Sequence, residues 1–137
     1  MESDRLLSLQ CDLRDPASVL GAAAAAKETP LLIRRGLTHV MVSAGVISVN
    51  MDPDVDFNIV SQKEMMDVYA VNAIGPVLVI QAFLSLMAEP QGQTLPIFSI
   101  LSSKVGSVSD NGSGGLFAYR APKSAVNNIA KSLELAG

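Results

Sequence analysis

The sequence alternates short apolar runs with helix-length segments, and this order constrains the fold more than any other feature. Thr38 to Ser43 is apolar and β-branched without alternation, as expected of a strand covered on both faces. Strands joined by helix-length crossovers are typical of a parallel sheet in an α/β fold. The predicted order is strand Leu6–Gln10, helix Ala17–Lys27, strand Thr38–Ser43, helix at about residues 62–88, strand Pro96–Leu101 and a helix from Phe117 onward.

Capping residues mark the ends of these helices. Asp15–Pro16 predicts an N-cap with proline at the first helical position, and Pro30 is expected to end or interrupt that helix. Ser61 and Glu64 have the capping-box spacing at the start of the long helix. Glu89–Gly92 predicts where the long helix ends.

Small and polar residues follow each predicted strand. Asp12 follows the first, Ala44–Gly45 the second and Ser102–Ser103 the third. Ligands of open parallel sheets bind beyond the carboxyl ends of the strands, which all lie at one edge. The sequence therefore predicts a single site at this edge.

Tyr119 and Lys123 stand four residues apart at the start of the last predicted helix, so they share one helix face. A cation beside a phenol stabilises the phenolate, and such a pair can move a proton to or from an oxygen. The spacing alone is common in ordinary amphipathic helices, and only its position after the serines makes it a candidate site.

Composition excludes several classes of function. The chain has 137 residues, a net charge of -3 and 17% charged residues, which predicts at most one domain and no nucleic-acid or anionic-membrane partner. One cysteine and one histidine leave no multi-Cys or His-pair metal site, and they leave little for a Ser-His-Asp hydrolase. No metal is therefore expected.

Two segments bear on location. Val68–Met87 approaches membrane-span length, but it contains Asn72, Gly75–Pro76 and Gln81, which favours a core or interface helix. The first ten residues have no basic lead-in followed by an apolar core, so no signal peptide is predicted. A cytoplasmic protein without a membrane partner is expected.

Taken together, these motifs resemble the short-chain dehydrogenase/reductase family. Five motifs occur in the family's order: Cys11–Leu13, Ser43–Gly45, Val71–Pro76, Ser102–Ser103 and the Tyr119/Lys123 pair. The stretch around Tyr119 is most similar to the carbonyl-reductase-like members related to C-factor and sniffer proteins. The resemblance implies a doubly wound parallel sheet of the Rossmann type, incomplete here, with residues 1–137 forming part of the NAD(P)-binding domain.

The resemblance also implies roles in hydride transfer between a nicotinamide and a small carbonyl or alcohol substrate. Tyr119 would be the general acid for carbonyl reduction, and Lys123 would lower its pKa and bind the nicotinamide ribose. Ser103 would hold the substrate oxygen, with Ser107 as the alternative. Asn72 would fix a water in a proton relay to Lys123, although a structural role for this amide is the alternative.

A cofactor-binding set follows from the same resemblance. Asp12 and the backbone after it would border the adenine, or Asp12 could instead satisfy backbone donors at a turn. The cofactor would be NAD or NADP, and the sequence does not decide between them. The implied set is Asp12, Leu13, Ala44, Gly45, Tyr119 and Lys123.

The sequence also departs from the family. None of the ten glycines forms the Gly-x-x-x-Gly-x-Gly phosphate loop, and Val42–Ser43 replaces an Asn-Asn pair. Pro122 would displace Lys123 if the helix began well before Tyr119. A fragment of the family's domain is therefore expected.

Two functions compete at this point. One is an NAD(P)-dependent oxidoreductase, expected to form a homo-oligomer when complete. The other is a catalytically inactive remnant that acts only by pairing with a related subunit. The helices at residues 62–88 and 117–136, which commonly form the family's dimer interface, are both apolar enough to pair.

Overall fold

A computed structural model describes residues 6–47, 57–87 and 96–136. Five α-helices and two strands account for most of these residues, together with a π-helical turn at Ala70–Ile74 and short 3-10 turns at Phe57–Ile59, Leu84–Leu86 and Lys104–Gly106. In chain order the main elements are α1 (Pro16–Lys27), α2 (Pro30–Arg35), β1 (His39–Val42), α3 (Gln62–Tyr69), α4 (Gly75–Phe83), β2 (Ile97–Ile100) and α5 (Phe117–Ala136).

The sheet of the described residues has two parallel strands. β1 pairs with β2 in the register His39 to Ile97 and Val42 to Ile100. Both strands lie inside the runs predicted from the sequence. A parallel pair with helices in the crossover confirms the incomplete α/β fold.

The predicted strand at Leu6–Gln10 is wrong. These residues have no regular structure, and Leu6, Leu7 and Leu9 are exposed. A strand exists only where a neighbour pairs with its backbone, and within the described residues β1 and β2 pair only with each other. An apolar run alone was therefore an insufficient signal.

The helix caps follow the sequence signals. Asp15 accepts a hydrogen bond from the Ala17 N–H, and Ser61 accepts one from the Glu64 N–H. Pro30 does not merely end α1 but begins α2, with Thr29 as the N-cap. Thr29–Pro30 is the same kind of start signal as Asp15–Pro16, and α2 could have been predicted from it.

The predicted long helix is helical from Gln62 to Leu86 but changes geometry inside. The π-helical turn separates α3 from α4 and ends two residues before Pro76. Proline has no N–H and its ring clashes with the carbonyl four residues earlier, here that of Asn72. The wider turn accommodates this proline. The predicted terminator Glu89–Gly92 lies outside the described residues.

By length and composition, the stretch Gln62–Leu86 could cross a membrane. Val68, Ala73, Val79 and Ile80 on this stretch are nonetheless buried inside the protein. Core helices of globular domains pass the same test of length and composition, so the burial favours the predicted core helix.

The core lies on one face of the sheet. Val19 of α1, Val42 of β1 and Val79 of α4 form its buried centre. On the opposite face of β1, Met41 remains 75% exposed. The expectation that β1 is covered on both faces is therefore wrong for the described residues, because the described helices cover only the Val42 side.

Candidate active site

The predicted catalytic pair lies in the first turns of α5. Lys123 is only 4% exposed, and its Nζ donates a 2.8 Å hydrogen bond to the Leu101 carbonyl just beyond β2. The same Nζ lies 5.7 Å from the centre of the Tyr119 ring. Burial lowers the pKa of the Lys123 amine, because the charged form is less well solvated inside the protein. Pro122 lies inside the helix, which begins only two residues before Tyr119, yet Lys123 still reaches the strand end.

Close backbone packing sets the position of Lys123. A Cβ on Gly106 would come within 2.7 Å of the Lys123 carbonyl carbon, so only glycine fits there. The Gly106 carbonyl accepts a 2.8 Å hydrogen bond from the Ser124 hydroxyl of α5. Ser102 adds a second attachment, because its hydroxyl donates a 2.6 Å bond to Asn127 Oδ1.

The two serines considered for the substrate oxygen are both held by local contacts. Ser103 caps the turn Lys104–Gly106 and accepts a 3.4 Å bond from the Val105 N–H. Ser107 accepts a 3.3 Å bond from the Asp110 N–H, and its hydroxyl lies 3.3 Å from that of Ser109. Ser103 remains the prediction and Ser107 its alternative.

Asn72 is buried in the π-helical turn and holds the segment after β1. Its Oδ1 accepts a 2.8 Å bond from the Val46 N–H, and its Nδ2 donates a 2.7 Å bond to the Val46 carbonyl. Gly45 lies between the two predicted relay residues, because a Cβ there would be 3.3 Å from Asn72 Oδ1 and 3.9 Å from Lys123 Nζ. The Val46 backbone is thus a partner of the kind that the alternative, structural role of the Asn72 amide requires. The Asn72 carbonyl cannot make the usual bond to residue 76, which is proline.

The predicted adenine-side residues line one cleft of about 560 Å³, a volume typical of ligand sites. Its walls come from three segments, namely 10–14, 44–46 and Val71, and they include Asp12, Leu13, Ala44 and Gly45. A Cβ on Gly75 would approach the Leu13 Cβ to 2.8 Å, so the helix packs directly against this wall.

Asp12 is engaged by its neighbour Arg14. The guanidinium donates to both carboxylate oxygens at 3.0 and 2.8 Å, and the Arg14 N–H donates to Oδ1 at 2.9 Å. Mainly through the side-chain hydrogen bond, Arg14 lowers the pKa of Asp12 to about 2. Asp12 therefore satisfies a backbone donor at a turn, as its alternative role requires, while it also lines the cleft.

The structure therefore brings the predicted residues together in two neighbouring groups. In the first group, Asn72 and Lys123 lie next to Gly45, and Tyr119 lies next to Lys123. Gly45 also belongs to the second group, because it is part of the cleft wall. Sequence reasoning missed Gly106 and Arg120, which fasten the connection between β2 and α5. In the sequence, Arg120 follows the predicted Tyr119, and Gly106 precedes Ser107, the alternative to Ser103.

Comparison with known proteins decides the family. The family model described as short chain dehydrogenase matches residues 1–136. The chain belongs to the short-chain dehydrogenase family. The resemblance inferred from the five motifs is thereby confirmed.

Individual short-chain dehydrogenases support this assignment. The chain is 31% identical over 93 residues to the 1-hydroxy-2-glutathionyl-2-methyl-3-butene dehydrogenase of Rhodococcus sp. (strain AD45), a match covering 68% of this chain and 37% of that protein. Among solved structures, the NADPH-bound carbonyl reductase from chicken fatty liver is 30% identical with a TM-score of 0.80. The match covers 96% of this chain and 52% of that one.

The carbonyl reductase Sniffer of D. melanogaster is also similar, at 27% identity and a TM-score of 0.78. The match covers 93% of this chain and 52% of Sniffer. The chain thus spans about half the length of these solved short-chain dehydrogenases, and a smaller share of the curated relative. The predicted similarity to sniffer-like carbonyl reductases is confirmed.

Proposed function

We propose that this chain contributes an NAD(P)-dependent oxidoreductase site that interconverts a small carbonyl compound and its alcohol. The observation that carries the proposal is the buried Lys123 amine beside the Tyr119 ring, held at the carboxyl end of β2 next to Gly45. Burial of an amine disfavours its charged form, and ionisable groups perturbed in this way cluster at functional sites.

Each residue has one proposed task. Tyr119 donates a proton to the substrate oxygen in the reductive direction and accepts it in the reverse direction. Lys123 places its amine 5.7 Å from the centre of the Tyr119 ring. Ser103, or Ser107 in its place, donates a hydrogen bond to the substrate oxygen as negative charge develops on it.

The position of the cleft supports a dinucleotide, because its wall contains Gly45, which also adjoins Asn72 and the Lys123 amine. The other proposed contacts in this wall are Asp12, Leu13 and Ala44. We propose that these residues bind the adenosine side, while Tyr119 and Lys123 hold the nicotinamide ribose. When bound, the reduced nucleotide, NADH or NADPH, would supply the hydride for carbonyl reduction, and the oxidised nucleotide would accept it in the reverse direction. Asn72 positions the segment that carries Gly45, through its two bonds to the Val46 backbone.

The first test is calorimetric titration of the 137-residue chain with NADPH and NADH, checked by thermal shift. Binding in the micromolar range with a raised melting temperature supports the proposal, because a ligand that binds only the folded state stabilises it. Absence of binding by a folded chain contradicts it.

Carbonyl reduction is the second test, with Tyr119→Phe as the probe and Tyr69→Phe as the matched control. The chain has two tyrosines, so each variant removes one hydroxyl. Loss of the general acid should lower kcat by about 10²–10⁴-fold, whereas Tyr69→Phe should retain activity. Equal activity of the two variants would contradict the role of Tyr119.

Subunit pairing without catalysis is a second candidate. This pairing role is favoured by exposed apolar side chains on the two predicted interface helices. They are Met66 and Ile74 on the helix at residues 62–88, and Leu133 and Leu135 on the helix at residues 117–136. We also propose a homo-oligomer and a cytoplasmic location for the whole protein. Light scattering distinguishes the candidates: a stable dimer that binds no nucleotide would favour the pairing role.

A further inference from the structure

The guanidinium of Arg120 donates hydrogen bonds to four acceptors in the connection between β2 and α5. Its Nη1 donates to the Val105 carbonyl at 3.2 Å, and its Nη2 donates to Ser113 Oγ at 2.9 Å and to the Gly114 carbonyl at 3.0 Å. Its Nε is shared between the carbonyls of Gly114 and Gly115, at 3.2 and 3.1 Å. All four acceptors are uncharged, so this arginine is fixed by geometry rather than by an acid.

The backbone that Arg120 contacts has an unusual conformation. Gly114, Gly115 and Leu116 are consecutive and have φ angles of 66°, 61° and 52°. Left-handed backbone is disfavoured for a residue such as Leu116 and persists only where surrounding contacts hold it. The planar fork of arginine can serve several carbonyls at once, whereas the lysine ammonium cannot copy that geometry.

This connection links the two parts of the proposed catalytic site. At one end, Ser103 Oγ accepts from the N–H of Val105, whose carbonyl accepts from Arg120. At the other end, the Tyr119 and Arg120 N–H groups both donate to the Leu116 carbonyl, at 2.9 and 2.8 Å. The Arg120 side chain therefore links the two ends of the segment from Ser103 to Tyr119 by hydrogen bonds.

We propose that Arg120 is a positioning residue that sets where Tyr119 stands relative to Ser103 and Ser107. The assignment rests on the proposed oxidoreductase function for its catalytic meaning, but the positioning itself can be tested without activity. The guanidinium hydrogen bonds of Arg120 in the described residues go to residues 105 and 113–115, which do not line the cleft, so its removal should affect catalysis rather than nucleotide affinity.

The activity-independent test compares Arg120→Ala and Arg120→Lys with Arg34→Ala, which removes an exposed arginine on α2. Hydrogen exchange of residues 105–116 should accelerate about tenfold or more in Arg120→Ala, because several charge-assisted hydrogen bonds are lost. Ethylguanidinium should restore protection to Arg120→Ala only. If Arg120→Ala does not fold, Arg120→Lys is decisive and should show the same segment-specific acceleration.

Tyr119 provides a direct probe because the chain has no tryptophan and Tyr69→Phe leaves a single tyrosine. In that background, acrylamide should quench Tyr119 fluorescence more efficiently once Arg120 is replaced by Lys. Unchanged exchange of residues 105–116 and unchanged quenching would overturn the proposal.

Kinetics then separate this proposal from the proposed function. In an active chain, Arg120→Lys should lower kcat by about 10-fold or more while the nucleotide KM changes little, as expected for lost orientation. Ethylguanidinium should restore kcat to Arg120→Ala. A rise in nucleotide KM with unchanged kcat would contradict positioning. An inactive wild-type chain would refute the oxidoreductase function, while exchange and quenching would still decide the role of Arg120.

Discussion

Substitution of Gly106 by alanine tests whether close packing sets the position of Lys123. The added Cβ would lie 2.7 Å from the Lys123 carbonyl carbon and 2.8 Å from its oxygen. Carbon atoms in ordinary contact are about 3.5 Å apart, so the backbone of α5 would have to move by roughly 0.8 Å. Because the obstacle is helix backbone, no side-chain rotation can relieve the clash.

Two losses add up in this variant. Overpacking of this kind costs about 1–3 kcal/mol in free energy of unfolding. A comparable movement would stretch the 2.8 Å bond from Lys123 Nζ to Leu101 beyond hydrogen-bond distance. Loss of a bond from a charged group costs about 1.5–3 kcal/mol more, and the stiffer unfolded chain returns about 0.4–1 kcal/mol. We expect a net loss of about 1.5–5.5 kcal/mol.

Urea unfolding followed by circular dichroism measures this loss, with Gly112→Ala as the control. Gly112 lies in the same connection, but a Cβ there would meet nothing within 4 Å. Its substitution should cause no loss of stability and should raise stability by up to about 1 kcal/mol. If the two alanine variants unfold at the same urea concentration, Gly106 does not set the position of Lys123.

Three further changes give distinct outcomes. Asn72→Ala removes both bonds to Val46 and should cost about 1–3 kcal/mol in urea unfolding, with faster hydrogen exchange at residues 45–47; an unaltered exchange pattern would argue against the clamp. Folding lowers the pKa of Asp12 from 3.8 to about 2, so its carboxylate stabilises the fold above pH 3.8 and this contribution is lost as pH falls to about 2. The melting temperature of Asp12→Asn should therefore decline less steeply than that of wild type from pH 4 to 2. A decline identical to wild type would show that Asp12 has no such link to folding. Gly21→Ala in α1, where nothing lies within 4 Å, should raise stability by about 0.5–1 kcal/mol, and a lower midpoint would contradict this.

Local signals predicted the elements whose formation depends on nearby residues. Asp15 and Ser61 act as N-caps as expected, and β1 and β2 lie within the predicted runs. The Tyr119/Lys123 pair was also accessible from sequence, because four-residue spacing on a helix places two side chains on one face. Their common position with Gly45 followed from the rule that parallel strands end at one edge.

Features that depend on distant partners could not be predicted. Leu6–Gln10 has an apolar composition, yet a strand needs a neighbouring backbone, which a single run cannot reveal. Arg120 looked like any exposed helix residue, because its acceptors belong to a connection whose left-handed backbone is not encoded by a recognisable motif. The two hydrogen bonds of the Asn72 amide to the Val46 backbone join segments 26 residues apart, and the sequence does not indicate that these segments meet.

The π-helical turn at Ala70–Ile74 changes the rotational phase of one continuous helix. Each residue of an α-helix advances the chain by about 100° around its axis, so one extra residue in a turn rotates everything after it. Asn72 can therefore face Val46 at the site while Val79 faces β1 and α1 in the core. Removing a single residue from this turn would turn the buried side of α4 toward solvent, although no catalytic side chain had been touched.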